Sequence, residues 1–448
     1  MKAYSSDVIA AIATPPGVGG IGVVRISGTC LADIAMQLTG AFPVARRVTS
    51  TNFRAADGTV IDRGLMIYFA APHSFTGEDV IELQGHGGPI VMQMLLARAI
   101  ELGARIAEPG EFSRRAFLND KMDLAQAEAV ADLISATTTA AARSAVRSLS
   151  GEFSASVREL TRKITELRML IEATLDFPDE EIDVITDTNV VQRLDDVQNT
   201  LTRLLASAKQ GSLLRSGLHV VLAGLPNVGK SSLLNRLTGE DRALVTAVPG
   251  TTRDAIKETI QISGIPLQIT DTAGLRQSDD PVEQLGIART WREIEIADLV
   301  LQMIDARDGF TEADRAIAQS LPLGVPRIVI ANKVDLTAQS PGRDEQGDDS
   351  HILVSAQTGA GIEVLKAELL RLAGWVGQCE DVILARERHL VALRFASEKL
   401  VVASEKLGQL ELCADELRLT QAALSEITGE FTADDLLGEI FSRFCIGK

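Results

Sequence analysis

Residues 224–231, with the sequence GLPNVGKS, have the types and spacing of a phosphate-binding loop. They fit the pattern G-x-x-x-x-G-K-[ST], in which backbone N–H groups surround phosphates and the lysine, here Lys230, reaches the outer ones. A short apolar run at 218–223 precedes the loop, and a helical pattern begins at Ser232. The loop is therefore predicted to lie between a strand and a helix N-terminus, where the helix dipole favours bound anions.

Two later segments extend this prediction to a particular nucleotide. Asp271 of DTAG (271–274) ends an alternating apolar stretch and can hold a water of a magnesium shell, while the Gly274 amide can meet a terminal phosphate. Asp335 of NKVD (332–335) can accept two hydrogens from guanine, whereas adenine offers an acceptor at the same ring position. Ser355 and Ala356 follow a strand-like run and can supply amides to the guanine oxygen. The sequence thus predicts a GTP-binding domain.

The residue that commonly orients the attacking water is absent. Many small GTPases carry Gln directly after the D-x-x-G segment, and this chain has Leu275 there, whose side chain forms no hydrogen bond. An acidic residue of the following turn is predicted to take the role. Glu283 is preferred over Asp279 and Asp280 because it opens an apparent helix at 283–296.

The segment 246–254, TAVPGTTRD, fits the position of a first switch loop. Its threonine hydroxyls suit magnesium, and Thr252 is the predicted ligand. Asn227 places a side-chain carbonyl inside the phosphate loop. With carbonyls from 246–251 it can cage a monovalent cation, and potassium would then supply the positive charge that an arginine finger supplies elsewhere.

Composition limits the possible classes of protein. A chain of 448 residues can form two to four domains, and no uninterrupted apolar stretch approaches the length of a membrane span. Its four cysteines lack metal-ligand spacing, and no secretory signal is expected, so we predict a cytoplasmic protein. The net charge of −17 and the 4% aromatic content disfavour extensive nonspecific RNA binding.

Hydrophobic periodicity indicates a multidomain α/β protein. The pattern predicts mixed α/β structure for residues 1–118, with a tight turn at 85–88 (GHGG), and helices for 119–215. Residues 216–376 alternate strand and helix, as a βαβ domain requires, and 377–448 are helical again. We expect the GTPase domain to be inserted into one helical domain, because each helical block is too thin to bury its apolar stripe alone. The alternative is two independent helical hairpins.

These motifs, with residues 81–88 (IELQGHGG) and the terminal CIGK (445–448), resemble the bacterial tRNA modification GTPase family MnmE, also called TrmE. The resemblance implies a homodimer in which the α+β N-terminal domain binds folate and dimerises. It implies a potassium-dependent GTPase that works with the FAD-containing MnmG subunit as a heterotetramer. Together they would add a carboxymethylaminomethyl-type group to carbon 5 of the wobble uridine of certain tRNAs. The implied donor is 5,10-methylene-tetrahydrofolate (or a 5-formyl-tetrahydrofolate analogue), with glycine or ammonium as amine.

The same resemblance assigns site residues by position. Glu283 matches the water-orienting acid, and Lys230 acts on the phosphates. The magnesium ligands match Ser231 and Thr252, the potassium ligands Asn227, Thr246, Val248 and Thr251, and the folate site Arg25, Glu82, Lys121 and Lys448. The expected GTP-binding residues are Asn227, Val228, Gly229, Lys230, Ser231, Ser232, Thr246, Thr251, Thr252, Asp271, Gly274, Asn332, Lys333, Asp335, Ser355 and Ala356.

Other interpretations stay open from the sequence. One is a ribosome-assembly GTPase without modifying chemistry, although such factors usually append a basic RNA-binding module and neither flank is basic. Another is a folate-dependent enzyme in which GTP is only a structural ligand. Cys445, three residues from the C-terminus, is either an incidental free thiol or a nucleophile of the modification chemistry. His86 is expected to stabilise a turn.

Overall fold

The computed structural model describes residues 7–29, 31–41, 44–176, 188–240, 257–271, 294–322, 324–344, 351–377, 382–430, 434–442 and 444–447. The chain divides into two compact units. The first comprises Met1–Ala131, Val157–Thr165 and Arg418–Lys448, and the second comprises Asp132–Ser156 and Glu166–Leu417.

The elements are numbered in chain order within these described residues. The strands are β1 (Ile9–Ile12), β2 (Gly19–Gly28), β3 (Thr49–Arg54), β4 (Val60–Phe69), β5 (Asp79–Gly87), β6 (Arg105–Ile106), β7 (Leu218–Gly224), β8 (Lys257–Ile262), β9 (Ile265–Asp271), β10 (Leu299–Asp305), β11 (Arg327–Asn332), β12 (Gly342–Asp344) and β13 (His351–Val354). The helices are α1 (Ala32–Thr39), α2 (Pro89–Glu101), α3 (Glu111–Leu118), α4 (Leu124–Ser135), α5 (Thr139–Leu149), α6 (Glu152–Asp176), α7 (Thr188–Ser216), α8 (Lys230–Glu240), α9 (Glu312–Ser320), α10 (Ile362–Leu372), α11 (Glu387–Glu405), α12 (Leu410–Thr428) and α13 (Asp434–Ser442).

The first unit is built on a mixed sheet with the strand order β3-β4-β5-β2-β1-β6 in its described part. Apolar side chains of β2 and β5, such as Val24, Ile26 and Leu83, are buried beneath Met92 and Leu95 of α2. The central strands β2 and β5 are antiparallel, and their register sets Arg25 opposite Glu82. The fold therefore brings together two charged residues that are far apart in the sequence.

The tight turn expected at residues 85–88 is wrong, because Gly85, His86 and Gly87 lie inside β5. These glycines instead allow atoms of the neighbouring strands to approach β5 closely. A Cβ on Gly87 would lie 2.7 Å from the carbonyl oxygen of Gly19, and one on Gly85 would lie 2.6 Å from Oδ2 of Asp62. His86 is exposed on this strand, and its Nδ1 lies 2.8 Å from Oδ1 of Asp62.

The second unit contains a sheet with the order β12-β13-β11-β10-β7-β9-β8 among the residues described. Strands β7, β9, β10, β11 and β13 are parallel, and β8 and β12 are antiparallel edges. Strand β10 is buried at every position and is apolar apart from Gln302 and the final Asp305, as expected for a parallel strand covered on both faces. The carboxyl ends of the parallel strands meet at one edge of the sheet, where the phosphate loop leaves β7.

Helices from both sides of the GTPase segment contact each other in this unit, since α11 packs against α7. The buried positions of α7 follow helical spacing, as the sequence predicts, and so do those of α11; they are Val190, Leu194, Val197 and Leu201, and Leu390, Leu393, Ala396 and Leu400. The multidomain α/β fold class is confirmed. None of the helices in the described ranges combines the length and the hydrophobicity needed to cross a bilayer.

Candidate functional site

The loop at 224–231 joins the end of β7 to the first turn of α8, as predicted. Gly224 and Gly229 adopt φ angles of 145° and 100°, which favour glycine. A Cβ on Gly229 would lie 2.2 Å from Nδ2 of Asn332, and one on Gly224 would lie 2.4 Å from the carbonyl oxygen of Met303. Both positions therefore require glycine because the loop runs against its neighbouring strands.

Asn332 ends β11 and holds the phosphate loop from the side. Its side chain is buried, and Nδ2 donates to the carbonyl oxygen of Val228 at 2.7 Å. Its Oδ1 accepts the backbone N–H of Ala356 at 2.9 Å. One buried amide group thus ties the phosphate loop to the segment after β13.

Lys333 makes the second connection to the loop from a left-handed backbone position with φ of 70°. Its Nζ donates to the carbonyl oxygen of Asn227 at 2.7 Å and to Oδ2 of Asp305 at 2.8 Å. The hydrogen bond from Arg307 holds the pKa of the Asp305 carboxyl well below its usual value; burial opposes this effect and the bond from Lys333 adds to it. Asp305 therefore stays ionised and anchors Lys333.

Sequence reasoning did not identify Asp305 as a residue of the site. A signal was present, because Asp305 ends the buried run 299–304 just as Asp271 and Asn332 end theirs. An acidic residue at the carboxyl end of a parallel strand lies at the edge where this fold class binds ligands. The parallel register then sets Asp305 beside Asn332.

Lys230 lies over the beginning of the loop at the N-terminus of α8. Its Nζ donates to the carbonyl oxygens of Gly224, at 2.8 Å, and Leu225, at 3.1 Å. Ser231 and Ser232 are exposed in the first turn of α8, where helix N–H groups lack intrahelical acceptors. A phosphate placed at this helix end would meet these N–H groups and the Lys230 ammonium.

The predicted base-binding residues flank Asn332. Asp335 is exposed in a short 3₁₀ turn, Val334–Leu336, and its carboxylate is accessible to a base. Ser355 is buried, and its hydroxyl accepts the N–H of Thr358 at 3.1 Å. The Ala356 N–H is bonded to Asn332, and the Ala356 carbonyl oxygen accepts a hydrogen bond from Arg236 Nε at 3.2 Å.

Several predicted site residues lie outside the described part of the chain. They are Thr246, Val248, Thr251, Thr252, Gly274, Glu283 and Lys448. For Asp271 only the backbone is described, and it pairs with Leu222 in the parallel register of β7 and β9. The end of β9 is thus placed beside the strand that leads into the phosphate loop.

The first unit contains the other predicted cluster. Arg25 contacts Oε1 of Glu82 through Nε at 3.0 Å and through Nη2 at 2.8 Å, and its Nη1 donates to the carbonyl oxygen of Gly447 at 3.3 Å. The Arg25 guanidinium also lies 5.6 Å from the ring centre of Phe75 and 5.7 Å from that of Phe112. The penultimate residue of the chain therefore lies beside the Arg25–Glu82 pair.

Lys121 and Cys445 are both exposed. Lys121 follows α3, and its Cδ would lie 3.2 Å from a Cβ on Gly77. The carbonyl oxygen of Cys445 accepts the N–H of Gly110 at 3.3 Å. This backbone hydrogen bond ties the C-terminal segment to Gly110 and leaves the Cys445 side chain accessible.

Comparison with known proteins decides the family. Residues 8–121 match the model described as GTP-binding protein TrmE N-terminus. Residues 124–445 match the model described as MnmE helical domain, which covers more than half of the chain. The chain belongs to the MnmE family of tRNA modification GTPases. The resemblance inferred from the sequence is confirmed, and the protein is a GTP hydrolase with a phosphate-binding loop.

Curated relatives in the MnmE family are similar along their whole length. The tRNA modification GTPase MnmE of Aromatoleum aromaticum is 61% identical over 99% of this chain and 98% of that protein. MnmE of Dechloromonas aromatica is 61% identical over 99% of this chain and all of that protein. A solved structure, Aquifex aeolicus Era, covers 41% of this chain and 66% of its own at 25% identity, with a TM-score of only 0.28.

Proposed function

We propose that this protein is a potassium-activated GTPase that helps to modify tRNA. With an FAD-containing MnmG partner, it adds a carboxymethylaminomethyl-type group to carbon 5 of the wobble uridine of certain tRNAs. The one-carbon donor is 5,10-methylene-tetrahydrofolate, and the protein works as a homodimer in the cytoplasm. The observation that carries this proposal is the 61% identity to curated tRNA modification GTPases over 99% of the chain.

The geometry around the phosphate loop supports the GTPase part of the proposal. Lys230 and the N–H groups of the first turn of α8 bind the phosphates, and Ser231 with Thr252 would hold the magnesium ion. Asn332 and Lys333 fix the loop through the carbonyl oxygens of Val228 and Asn227. Since both contacts use backbone carbonyl oxygens, the N–H groups of the loop remain available to the nucleotide. Asp335, exposed beside them, selects guanine.

Two features support potassium activation: the side-chain carbonyl of Asn227 in the phosphate loop, and Leu275 at the position where many GTPases carry a catalytic glutamine. Asn227 has φ of 63°, and its side chain is exposed on the loop. Its carbonyl oxygen is a ligand that suits an alkali ion, together with Thr246, Val248 and Thr251. The ion would supply positive charge next to the phosphates. Glu283 then orients the attacking water, the task that Leu275 cannot perform.

The Arg25–Glu82 cluster fits a folate. Both contacts of Arg25 with Glu82 are to Oε1, so Oε2 remains to accept hydrogens from a pterin ring. Phe75 and Phe112 lie beside the guanidinium and provide apolar surface for an aromatic ligand. Lys121 and Lys448 supply cations for the folate carboxylates. Cys445 lies two residues from Gly447, which contacts Arg25, and its exposed thiol supports a role near this ligand.

Reconstitution tests the proposal with purified components. The protein, its FAD-containing partner, unmodified tRNA, 5,10-methylene-tetrahydrofolate, GTP and glycine are incubated in potassium or in sodium buffer. We expect GTP hydrolysis and the modified wobble uridine in potassium, and strongly reduced hydrolysis in sodium. Equal hydrolysis in both salts would contradict potassium activation, and hydrolysis without any new nucleoside would favour a ribosome-assembly GTPase.

A further inference from the structure

The second unit contains a cavity of about 510 Å³ that no step of the proposed function uses. Helix α5 forms one wall, and the turn between β8 and β9 forms another. The polar side chains that line it include Thr139, Arg143, Arg147, Gln261 and Ser263. This volume lies within the range of small-ligand pockets and exceeds what a single inorganic ion occupies.

The lining of this cavity has the opposite charge to the protein as a whole. The chain carries a net charge of −17, yet none of the described residues that line the cavity is acidic. Arg147 is compensated by Glu152, whose Oε2 lies 2.8 Å from Nε and 2.7 Å from Nη2. Arg143 is exposed and has no carboxylate partner within the described ranges. The cavity therefore offers one uncompensated guanidinium beside hydroxyl and amide donors.

The two walls are held together by direct contacts, so the cavity is preformed. The Thr138 hydroxyl donates to the carbonyl oxygen of Gly264 at 2.8 Å. Gly264 has φ of 83°, and a Cβ there would lie 2.8 Å from Cβ of Ala140. On the other side, the Ser144 hydroxyl donates to the carbonyl oxygen of Val382 at 2.8 Å. The walls are therefore held in place before a ligand enters.

We propose that this cavity binds a phosphate ester, with Arg143 as the principal contact. A guanidinium presents a planar fork of donors that matches two phosphate oxygens, and hydroxyl groups complete such sites. The ester comes either from the backbone of an RNA substrate or from a free nucleotide. Only the RNA source rests on the proposed function. An acidic protein that handles tRNA needs local cationic sites of this kind, because its net charge repels the phosphate backbone.

The first arm of the test measures binding of a fluorescently labelled, unmodified tRNA transcript to the full-length protein at several salt concentrations. We expect Arg143→Gln to weaken binding about tenfold, the value of a charge-assisted hydrogen bond, and to reduce the salt slope by about one. Arg143→Lys keeps the charge and should retain most of that slope. Arg203→Gln is the matched control, because Arg203 is exposed on α7 and does not line the cavity.

The second arm titrates uridine 5′-monophosphate calorimetrically, since this nucleotide does not fit a guanine-selective site. Saturable binding that Arg143→Gln abolishes would support the cavity with a free nucleotide as ligand, and an effect on tRNA alone would identify RNA as the source. Unchanged tRNA affinity and salt slope together with no uridine monophosphate binding would overturn the proposal. If the unaltered protein binds no tRNA, the proposed function fails, and the nucleotide arm still decides the cavity. Thermal unfolding confirms that each variant is folded.

Discussion

The close contact of Gly229 with Asn332 gives a quantitative prediction for the phosphate loop. In Gly229→Ala the new Cβ would lie 2.2 Å from Nδ2 of Asn332, whereas ordinary contact begins near 3.5 Å. The Asn332 amide must then move by roughly 1 Å, which exceeds the range over which a hydrogen bond is kept. Its bonds to Val228 and Ala356, of 2.7 and 2.9 Å, are therefore lost.

The expected magnitude follows from those two bonds and from the backbone. Each hydrogen bond contributes about 0.5–1.5 kcal/mol, and the positive φ of 100° adds about 1 kcal/mol for alanine. Because the two bonds hold the loop, their loss in Gly229→Ala weakens guanine nucleotide binding by about 1–3 kcal/mol, or roughly 5- to 150-fold, and the backbone cost lowers the stability of the fold.

A matched variant separates the contact from the backbone conformation. Gly374 also has a positive φ, 73°, but nothing lies within 4 Å of a Cβ there. Gly374→Ala should therefore lower the unfolding temperature slightly and leave nucleotide affinity unaltered. Affinity is measured by titration with a fluorescent GDP analogue. Equal affinities for Gly229→Ala and the unaltered protein would refute the role assigned to Asn332.

Three further predictions concern other parts of the molecule. Because Asp305 has a lowered pKa when folded, its contribution is present above its ordinary pKa of 3.8 and is lost as the pH falls below that value. Asp305→Asn should therefore destabilise the protein clearly at pH 7 and progressively less toward pH 3 in thermal unfolding, and a pH-independent difference would contradict this. Burial raises the pKa of Cys413 to about 11, whereas Cys445 is exposed; Cys445→Ser should thus remove one fast-reacting thiol in a native DTNB assay, and Cys413→Ser none. Glu82→Gln should weaken 5-formyl-tetrahydrofolate binding at least tenfold, since the carboxylate can no longer accept a pair of charge-assisted hydrogen bonds; an unchanged dissociation constant in calorimetry would count against the folate site.

Local patterns explain why much of the nucleotide site could be predicted from the sequence. The loop at 224–231 and the segment 332–335 each carry their chemistry within a few consecutive residues next to a buried strand. The parallel sheet then brings the strand ends to one edge. For this reason the sequence alone predicts Asn332 and Lys333 as site residues, although their contacts with the loop carbonyls depend on the fold.

Contacts that depend on tertiary register could not be predicted in the same way. Asp305 anchors Lys333 across 28 residues, and Arg25 meets Glu82 across 57, because strand pairing sets these neighbours. The sequence pattern at Gly85 and Gly87 predicts a turn where the structure has a strand, since glycine serves equally for tight turns and for close backbone approach. The Arg143 cavity likewise requires the packing of α5 on the β8–β9 turn.

The nucleoside composition of tRNA tests the central claim most directly. Total tRNA is isolated from cells lacking this gene and from the same cells carrying it on a plasmid, and the digested nucleosides are measured by mass spectrometry. We predict that the carboxymethylaminomethyl-type group at carbon 5 of uridine disappears without the gene and returns with the plasmid. An identical profile of modified uridines in both strains would contradict the account.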